Sequence, residues 1–374
     1  MSLTDLPEEL ILQVMENFAE SRASLASLMQ CCSKTNRIGH PVLHNLSPDQ
    51  FIEIYEWALP EELKDIIQNL LPYYLELAKE NPIMSFAALK SAVRLGCADT
   101  TTFWLNHGAP VFHLNGDNDN SDNHMLLAAY HDTSEAVSAL LQHNPDLTTV
   151  TVPLFSREHQ GLVTGQASLL HIAVVAGASK IISFLLSRGQ EVNIVGQNDA
   201  SPLSLAVALG KHEISEMLID AGANVNAADP NGWTPLTFAA RTPDPDHFNL
   251  LLSRGADASI RDHTETLLWH AIERGNSTIV PLILDAGVDV NATLPNGETA
   301  LFYAVQEGLP EVAQCLVSAR TDVNIADADG KTALMAEAIT ESAEVTDVLI
   351  QAGADLKCQG QRWSDCPYSC GHGV

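Results

Sequence analysis

The chain has 374 residues, of which 46% are hydrophobic but only 6% aromatic, and its formal net charge is −28. From Ile83 onward, 34 acidic residues face only 14 Lys and Arg. Because a phosphate backbone requires a basic stripe and none is visible, this composition argues against a nucleic-acid ligand. The acidity indicates either a solvated surface or one that attracts a basic partner.

The first 46 residues are predicted to form a small helical module. Leu6, Leu10, Val14 and Phe18 are spaced four residues apart, which places them on one face of a helix. Pro7 lies early in that helix, where its missing N–H is tolerated. Residues 47–82 are predicted to form further helices that link this module to the rest of the chain.

The module resembles the F-box, whose opening motif is Leu-Pro-x-Glu-Leu/Ile and whose later element is Ser-Lys-x-x-Arg. The later element is matched by Ser33, Lys34 and Arg37, although Asn36 stands where F-boxes often carry an aromatic residue. The resemblance implies that the module docks the SKP adaptor of a cullin-RING ubiquitin ligase. The adaptor-binding residues would be Leu6, Pro7, Glu9, Leu10 and Val14. The alternative is a helical cap that covers the first repeat.

From Ser168 onward the chain repeats the pattern Ser/Thr-x-Leu-x-x-Ala with a period of about 33 residues, and two weaker copies precede it from about residue 83, which predicts a stacked array. Extra residues around 115–123 and 147–166 are predicted to form elongated loops. About eight copies are predicted between residues 83 and 358, with starts near Ala87, Asn123, Ser168, Ser201, Thr234, Thr266, Thr299 and Thr332.

Each copy is predicted to contain two helices. Ser or Thr at the start of the pattern can cap the first helix. Small Ala residues inside it allow close packing between copies. Turn sequences such as Asp229-Pro-Asn-Gly232 predict tight hairpins between copies. Glycines are predicted to end the helices in a left-handed conformation: Gly177, Gly210, Gly275 and Gly308 for the first helices, and Gly222, Gly255, Gly287 and Gly353 for the second.

These copies resemble ankyrin repeats. Gly232-Trp-Thr-Pro-Leu-Thr-Phe-Ala-Ala240 is similar to the family's Gly-x-Thr-Pro-Leu-His-x-Ala-Ala, and Leu251-Leu-Ser-Arg-Gly-Ala-Asp257 to its Leu-Leu-x-x-Gly-Ala-Asp. The resemblance implies an all-α solenoid of helix-turn-helix repeats with hairpin loops. In the last copy Glu337 replaces the packed Ala and Glu341 replaces Gly, which predicts a polar outer face on a terminal cap.

A partner protein is expected on the surface formed by the hairpin tips and the first-helix ends. Trp233 is predicted either to be a hot spot for partner binding or to pack against the next hairpin. Trp269, Phe302 and Tyr303 are predicted to pack between repeats. The expected partner-binding residues are Asn231, Trp233, Asp262, Glu265, Glu273, Arg274, Glu298, Gln306, Glu307, Asp329 and Lys331.

Residues 359–374 form a Cys-rich tail. Four soft ligands, Cys358, Cys366, Cys370 and His372, could assemble a zinc site, but their spacing matches no strong zinc signature, and free thiols are the alternative. The seven cysteines lack the spacing of a disulfide framework. The acidic N-terminus is unlike a signal peptide, and no apolar stretch approaches the ~20 residues of a membrane span. The expected location is therefore cytosolic or nuclear.

The sequence contains no phosphate-binding Gly loop, paired carboxylates on one helix face, catalytic triad or zincin motif. His171 occupies a helix start, where its ring is expected to bond to the backbone. The chain is therefore predicted to be no enzyme, to need no cofactor, and to act as a substrate-recruiting adaptor. A scaffold or inhibitor without a link to ubiquitin is the alternative.

Overall fold

The structure, a computed structural model, describes residues 82–111, 123–144, 168–195, 200–260, 266–294, 296–340, 343–355, 357–358 and 361–362, together with Leu75. The predicted F-box-like module 1–46, the loops 115–122 and 147–166 and most of the tail lie outside these residues. The chain divides into two compact units, the boundary of which lies inside the predicted repeat region. The N-terminal unit comprises Met1–Ser156 and Val163–Gln190, and the C-terminal unit Arg157–Leu162 and Glu191–Val374.

The described part of the N-terminal unit contains three helix pairs. First helices contact first helices, α1 with α3 and α3 with α5, and second helices contact second helices, α2 with α4 and α4 with α6. Each pair therefore packs on its neighbour along the sequence. The helices are α1 Pro82–Arg94, α2 Ala98–Asn106, α3 His124–Tyr130, α4 Ser134–His143, α5 Leu169–Ala176 and α6 Ser179–Ser187.

The C-terminal unit continues the same arrangement with five described pairs, in which first helices again contact first helices and most second helices contact second helices. The helices are α7 Pro202–Ala208, α8 His212–Asp220, α9 Pro235–Ala240, α10 Pro245–Ser253, α11 Leu267–Glu273, α12 Val280–Asp285, α13 Ala300–Gln306, α14 Pro310–Ser318, α15 Ala333–Thr340 and α16 Ala343–Gln351. An antiparallel pair of two-residue strands, β1 Lys357–Cys358 and β2 Gln361–Arg362, follows and was not predicted from the sequence.

The predicted caps form at most of the first helices. Ser168, Ser201, Thr234 and Thr299 each accept a hydrogen bond from the backbone N–H three residues later. The expectation is wrong at Thr332 and at Thr266, whose buried hydroxyls have no partner among the described residues. There the N–H of Trp269 donates to the Thr266 carbonyl, at 3.0 Å, and makes no bond to the hydroxyl.

The predicted hairpins are present. The Gly232 N–H donates to the Asp229 carbonyl at 2.9 Å, and Gly297 and Leu294 are paired in the same way. Neighbouring tips also touch, because the Ala328 N–H donates to the Asn296 carbonyl at 2.9 Å. Gly297 has a φ of 83°, and a Cβ there would lie 2.8 Å from the Ala328 nitrogen. Both conformation and close approach therefore require glycine at this position.

The polar outer face predicted at Glu337 is wrong. Glu337 is 6% exposed, on a first helix that packs against α13. One period earlier, Ala304 is 0% exposed. The position within the repeat thus decides whether the side chain is buried, whatever the residue type. Glu341 lies outside the described residues.

A ladder of asparagines joins successive loops in the C-terminal unit. The Asn226 side chain donates to the Gly255 carbonyl at 3.2 Å and accepts from the Asp257 N–H at 2.9 Å. Asn193 and Asn324 each make the same two bonds to the loop of the following repeat. Asn193 bonds to Gly222 and Asn224, and Asn324 bonds to Gly353 and Asp355. At the equivalent position Ser259 is too short, and its hydroxyl donates to Asp257 of its own loop at 2.7 Å. The ladder is therefore interrupted at Ser259.

Replacing Ser259 with Asn is expected to raise the free energy of unfolding by about 1 kcal/mol, since it allows the missing inter-repeat hydrogen bonds to form. The matched change Asn226→Ser is expected to lower it by a similar amount. Urea unfolding of both variants measures the difference. A Ser259→Asn variant less stable than the parent would show that this loop cannot reach its neighbour.

Arg320 occupies a position at which glycine recurs. All eight predicted helix-ending glycines have positive φ angles, of 63° to 91°. Arg320 lies one period after Gly287 and adopts a φ of 64° with a side chain. A left-handed conformation costs a residue that has a Cβ roughly 1–2 kcal/mol.

Replacing Arg320 with Gly is therefore expected to stabilise the chain by about 0.5–1 kcal/mol, because glycine adopts this φ without strain but gains entropy in the unfolded state. The control is Ala319→Gly, one residue earlier, where φ is −80° and glycine relieves nothing. Urea unfolding should show opposite shifts for the two variants. Equal destabilisation by both would contradict the assignment of strain to Arg320.

Candidate protein-binding surface

The hairpin tips present polar side chains in the C-terminal unit. Asn231 and Asp329 are exposed, whereas Glu298 and Lys331 are half-buried. The Lys331 Nζ lies 3.6 Å from an Asp329 carboxylate oxygen. Asp262 and Glu265, which were expected at the equivalent tip, lie outside the described residues.

Two further tip carboxylates are engaged by their own hairpins. Asp229 accepts hydrogen bonds from the N–H groups of Asn231, at 2.9 Å, and Trp233, at 2.8 Å. Asp327 accepts equivalent bonds from Asp329 and Lys331. These two acids shape the tips, and their charges are already stabilised by backbone donors.

Trp233 lies in a cluster of side chains from two neighbouring repeats. Its half-buried ring lies edge-on against Phe238, at a centroid distance of 5.4 Å, and against His270 of the next repeat, at 5.1 Å. The Arg241 guanidinium lies 5.0 Å from the Trp233 ring centre, a cation–π contact. We call Trp233, Phe238, Arg241, His270 and Glu273 the Trp233 cluster. Trp233 therefore contacts residues of its own and the next first helix, whereas the packing alternative placed it against the next hairpin, and part of its ring stays accessible.

Arg241 connects the cluster to the next first helix. Its Nη1 donates to the Glu273 carboxylate and lies 3.4 Å from His270 Nδ1. The Arg241 side chain is 16% exposed and that of Glu273 is 48% exposed. Glu273 was expected among the partner-binding residues, and the structure pairs its charge with Arg241. Arg241 was not among the expected site residues, although it occupies the same first-helix end as Glu273 one repeat earlier.

The other expected first-helix ends are open to solvent. Arg274, Gln306 and Glu307 are all exposed. The aromatic residues behind them are packed: Trp269 is 4% exposed and its ring lies 4.7 Å from that of half-buried Tyr303. Phe302 is 5% exposed. The surface thus consists of polar helix ends above a buried aromatic layer.

The comparison with family models agrees with this architecture. The family model described as ankyrin repeats (3 copies) matches residues 170–262 and 264–361, just over half of the chain. The chain belongs to the ankyrin-repeat family. No curated protein sequence matches it. Among 483 matching solved chains is the crystal structure of the human ASB11 ankyrin repeat domain, at 28% identity and a TM-score of 0.48, covering 54% of this chain and 93% of that one.

Ankyrin repeats bind partner proteins and generally perform no catalysis, and the match indicates no catalytic family. The first two helix pairs, α1 to α4, lie outside the matched stretches, so their assignment as repeats stays a prediction. None of the described helices is long and apolar enough to cross a membrane.

The side chains considered for chemistry have other roles in the described residues. His171 Nδ1 lies 2.8 Å from the Ser168 hydroxyl, so this ring nitrogen contacts the side chain that caps its own helix. Burial raises the pKa of the Cys315 thiol, and Glu311 raises it further, which disfavours a reactive thiolate. No group of three metal-ligating side chains occurs among the described residues, and three of the suggested zinc ligands, Cys366, Cys370 and His372, lie outside them.

Two exposed apolar residues of the N-terminal unit were not among the expected site residues. Tyr130 is 63% exposed and Leu95 is 36% exposed, which makes them two of the most exposed large apolar side chains described. Tyr130 follows Ala128-Ala129 as Arg241 follows Ala239-Ala240, so it occupies a first-helix end. Aligning the early copies on their paired alanines would have identified it.

The contacts of Arg241 predict that Arg241→Gln lowers the free energy of unfolding by about 1 kcal/mol, since it removes a cation–π contact and a half-exposed ion pair. Arg274→Gln is the matched control, because Arg274 is exposed, and it should change stability by less than about 0.5 kcal/mol. Urea unfolding at low and high salt measures both. Equal effects of the two substitutions would show that the Trp233 cluster adds no stability.

Proposed function

We propose that this chain is a protein-binding adaptor whose C-terminal unit holds a partner across the hairpin tips and first-helix ends. The observation that supports this location is the Trp233 cluster. An aromatic ring held in place by Arg241 and His270 is pre-organised, so binding need not order it. Trp and Arg are also enriched among residues that dominate binding energy.

We further propose that the N-terminal module links the bound partner to a cullin-RING ubiquitin ligase through an SKP-type adaptor. The support is the F-box-like motif of Leu6, Pro7, Glu9 and Leu10, with Val14 on the same predicted helix face. In this role the chain contributes proximity and no chemistry. The scaffold or inhibitor alternative uses the same partner-binding surface without the adaptor.

The partner-binding surface is tested by affinity capture with the full chain, followed by binding measurements with the captured protein. Glu307→Lys and Trp233→Ala change the proposed surface and are expected to weaken binding at least tenfold, as a hot-spot loss of about 1.4 kcal/mol would. Glu216→Lys is the matched control, because Glu216 is exposed on the second helix α8. A partner that is released by Glu216→Lys but retained by the other two variants binds elsewhere.

The ligase link is tested with purified SKP adaptor and the full chain. Leu10→Asp is expected to abolish complex formation, and Pro7→Ala to weaken it, because both alter the proposed apolar docking face. Leu10→Ile keeps that face apolar and should retain binding. Circular dichroism establishes that the variants fold. If the unmodified chain never binds the adaptor, the ligase role is wrong and the chain is a scaffold or inhibitor.

A further inference from the structure

Two histidine rings meet between neighbouring second helices of the C-terminal unit. The ring centroids of His212, on α8, and His247, on α10, lie 5.0 Å apart, and their planes are inclined by 60°. His247 is 1% exposed, whereas His212 is half-buried. The pair lies on second helices, whereas the proposed partner-binding residues lie on hairpin tips and first helices.

The surroundings of His247 disfavour a positive charge on its ring. Nε2 is buried and has no hydrogen-bond partner among the described residues, so a proton there would lack an acceptor. Burial lowers the pKa of His247, and the neighbouring His212 lowers it further. The neutral ring is therefore the form that fits the packed junction.

The positions of both histidines near helix N-termini also disfavour a positive charge on their rings. His212 is the first residue of α8 and His247 the third residue of α10. The N-terminus of a helix carries a partial positive charge, which disfavours a cation in its first turn. Two protonated rings here would thus repel each other and both helix ends.

The opposing groups are few and partly solvated. Asp244, the N-cap of α10, has a carboxylate oxygen 3.8 Å from His247 Nδ1, but its side chain is 50% exposed. Asp246 and the backbone of Lys211 also favour the protonated ring, less strongly than burial disfavours it. The first helix α9, which packs against α10, has no titratable side chain.

We propose that the His212–His247 contact makes the junction between α8 and α10 sensitive to protons, so that these helices separate on acidification before the junctions further along the unit. An exposed histidine regains a pKa near 6.5, which is above that of packed His247, so the open state binds the proton more tightly. Opening is therefore unaffected well above pH 6.5 and increases as the pH falls below it. Helices α12, α14 and α16 contain no histidine.

Hydrogen exchange of the full chain tests this proposal at pH 7.5, 6.5 and 5.5. After correction for intrinsic rates, the opening constant of α10 amides should rise up to about tenfold per pH unit below 6.5, the limit for uptake of one proton. Amides of α14 serve as the internal control and should change far less. An equal change in both helices, or none in α10, would overturn the proposal.

Two further measurements distinguish a proton effect from a folding defect. In the unmodified chain, NMR titration of labelled histidines should give His247 a pKa below 6.5; a value at or above 6.5 contradicts the proposal. His212→Gln removes the second ring and should raise the pKa of His247 and reduce the pH dependence of α10 exchange. His143→Gln, at an exposed position of the N-terminal unit, should leave both unchanged.

Discussion

The contact between successive first helices is the interaction on which the C-terminal unit depends. Helices α7, α9, α11 and α13 contain six or seven residues each, and isolated helices shorter than about 12 residues are marginal in water. Each is stable only because its neighbours bury it. Every contact surface holds an alanine that is 0% exposed, which lets the backbones approach: Ala206, Ala239, Ala271 and Ala304. The helix ends are thereby held at fixed intervals, which suits them to the proposed binding surface.

Features set by local backbone chemistry could be predicted from the sequence. The left-handed turn at Gly210 and the cap at Ser201 follow from residue type at a fixed place in the period. Features set by neighbouring repeats could not. Thr266 has a capping hydroxyl and makes no cap bond. Arg320 takes a conformation that favours glycine, because the repeat imposes that turn and no local preference of arginine does.

The candidate site shows the same division. Spacing alone placed the tips and first-helix ends, but it could not show that Arg241 and Glu273, 32 residues apart, share an ion pair. Through this ion pair, Glu273 holds the Arg241 guanidinium that lies over the Trp233 ring. The copies of the N-terminal unit were predicted, but no partner-binding residue was expected there, although exposed Tyr130 lies at an equivalent first-helix end.

Several charges of the proposed binding surface are already paired within the chain. Asp229 and Asp327 are bound by backbone donors, and Arg241 and Glu273 largely offset each other. If the proposed partner is basic, the net charge of −28 is expected to raise its association rate, and this attraction is expected to weaken with salt. Such attraction does not select among basic proteins. Under the proposed function, selection is expected from a partner that covers the exposed part of the Trp233 ring, because desolvating a pre-organised aromatic ring depends on shape as well as charge.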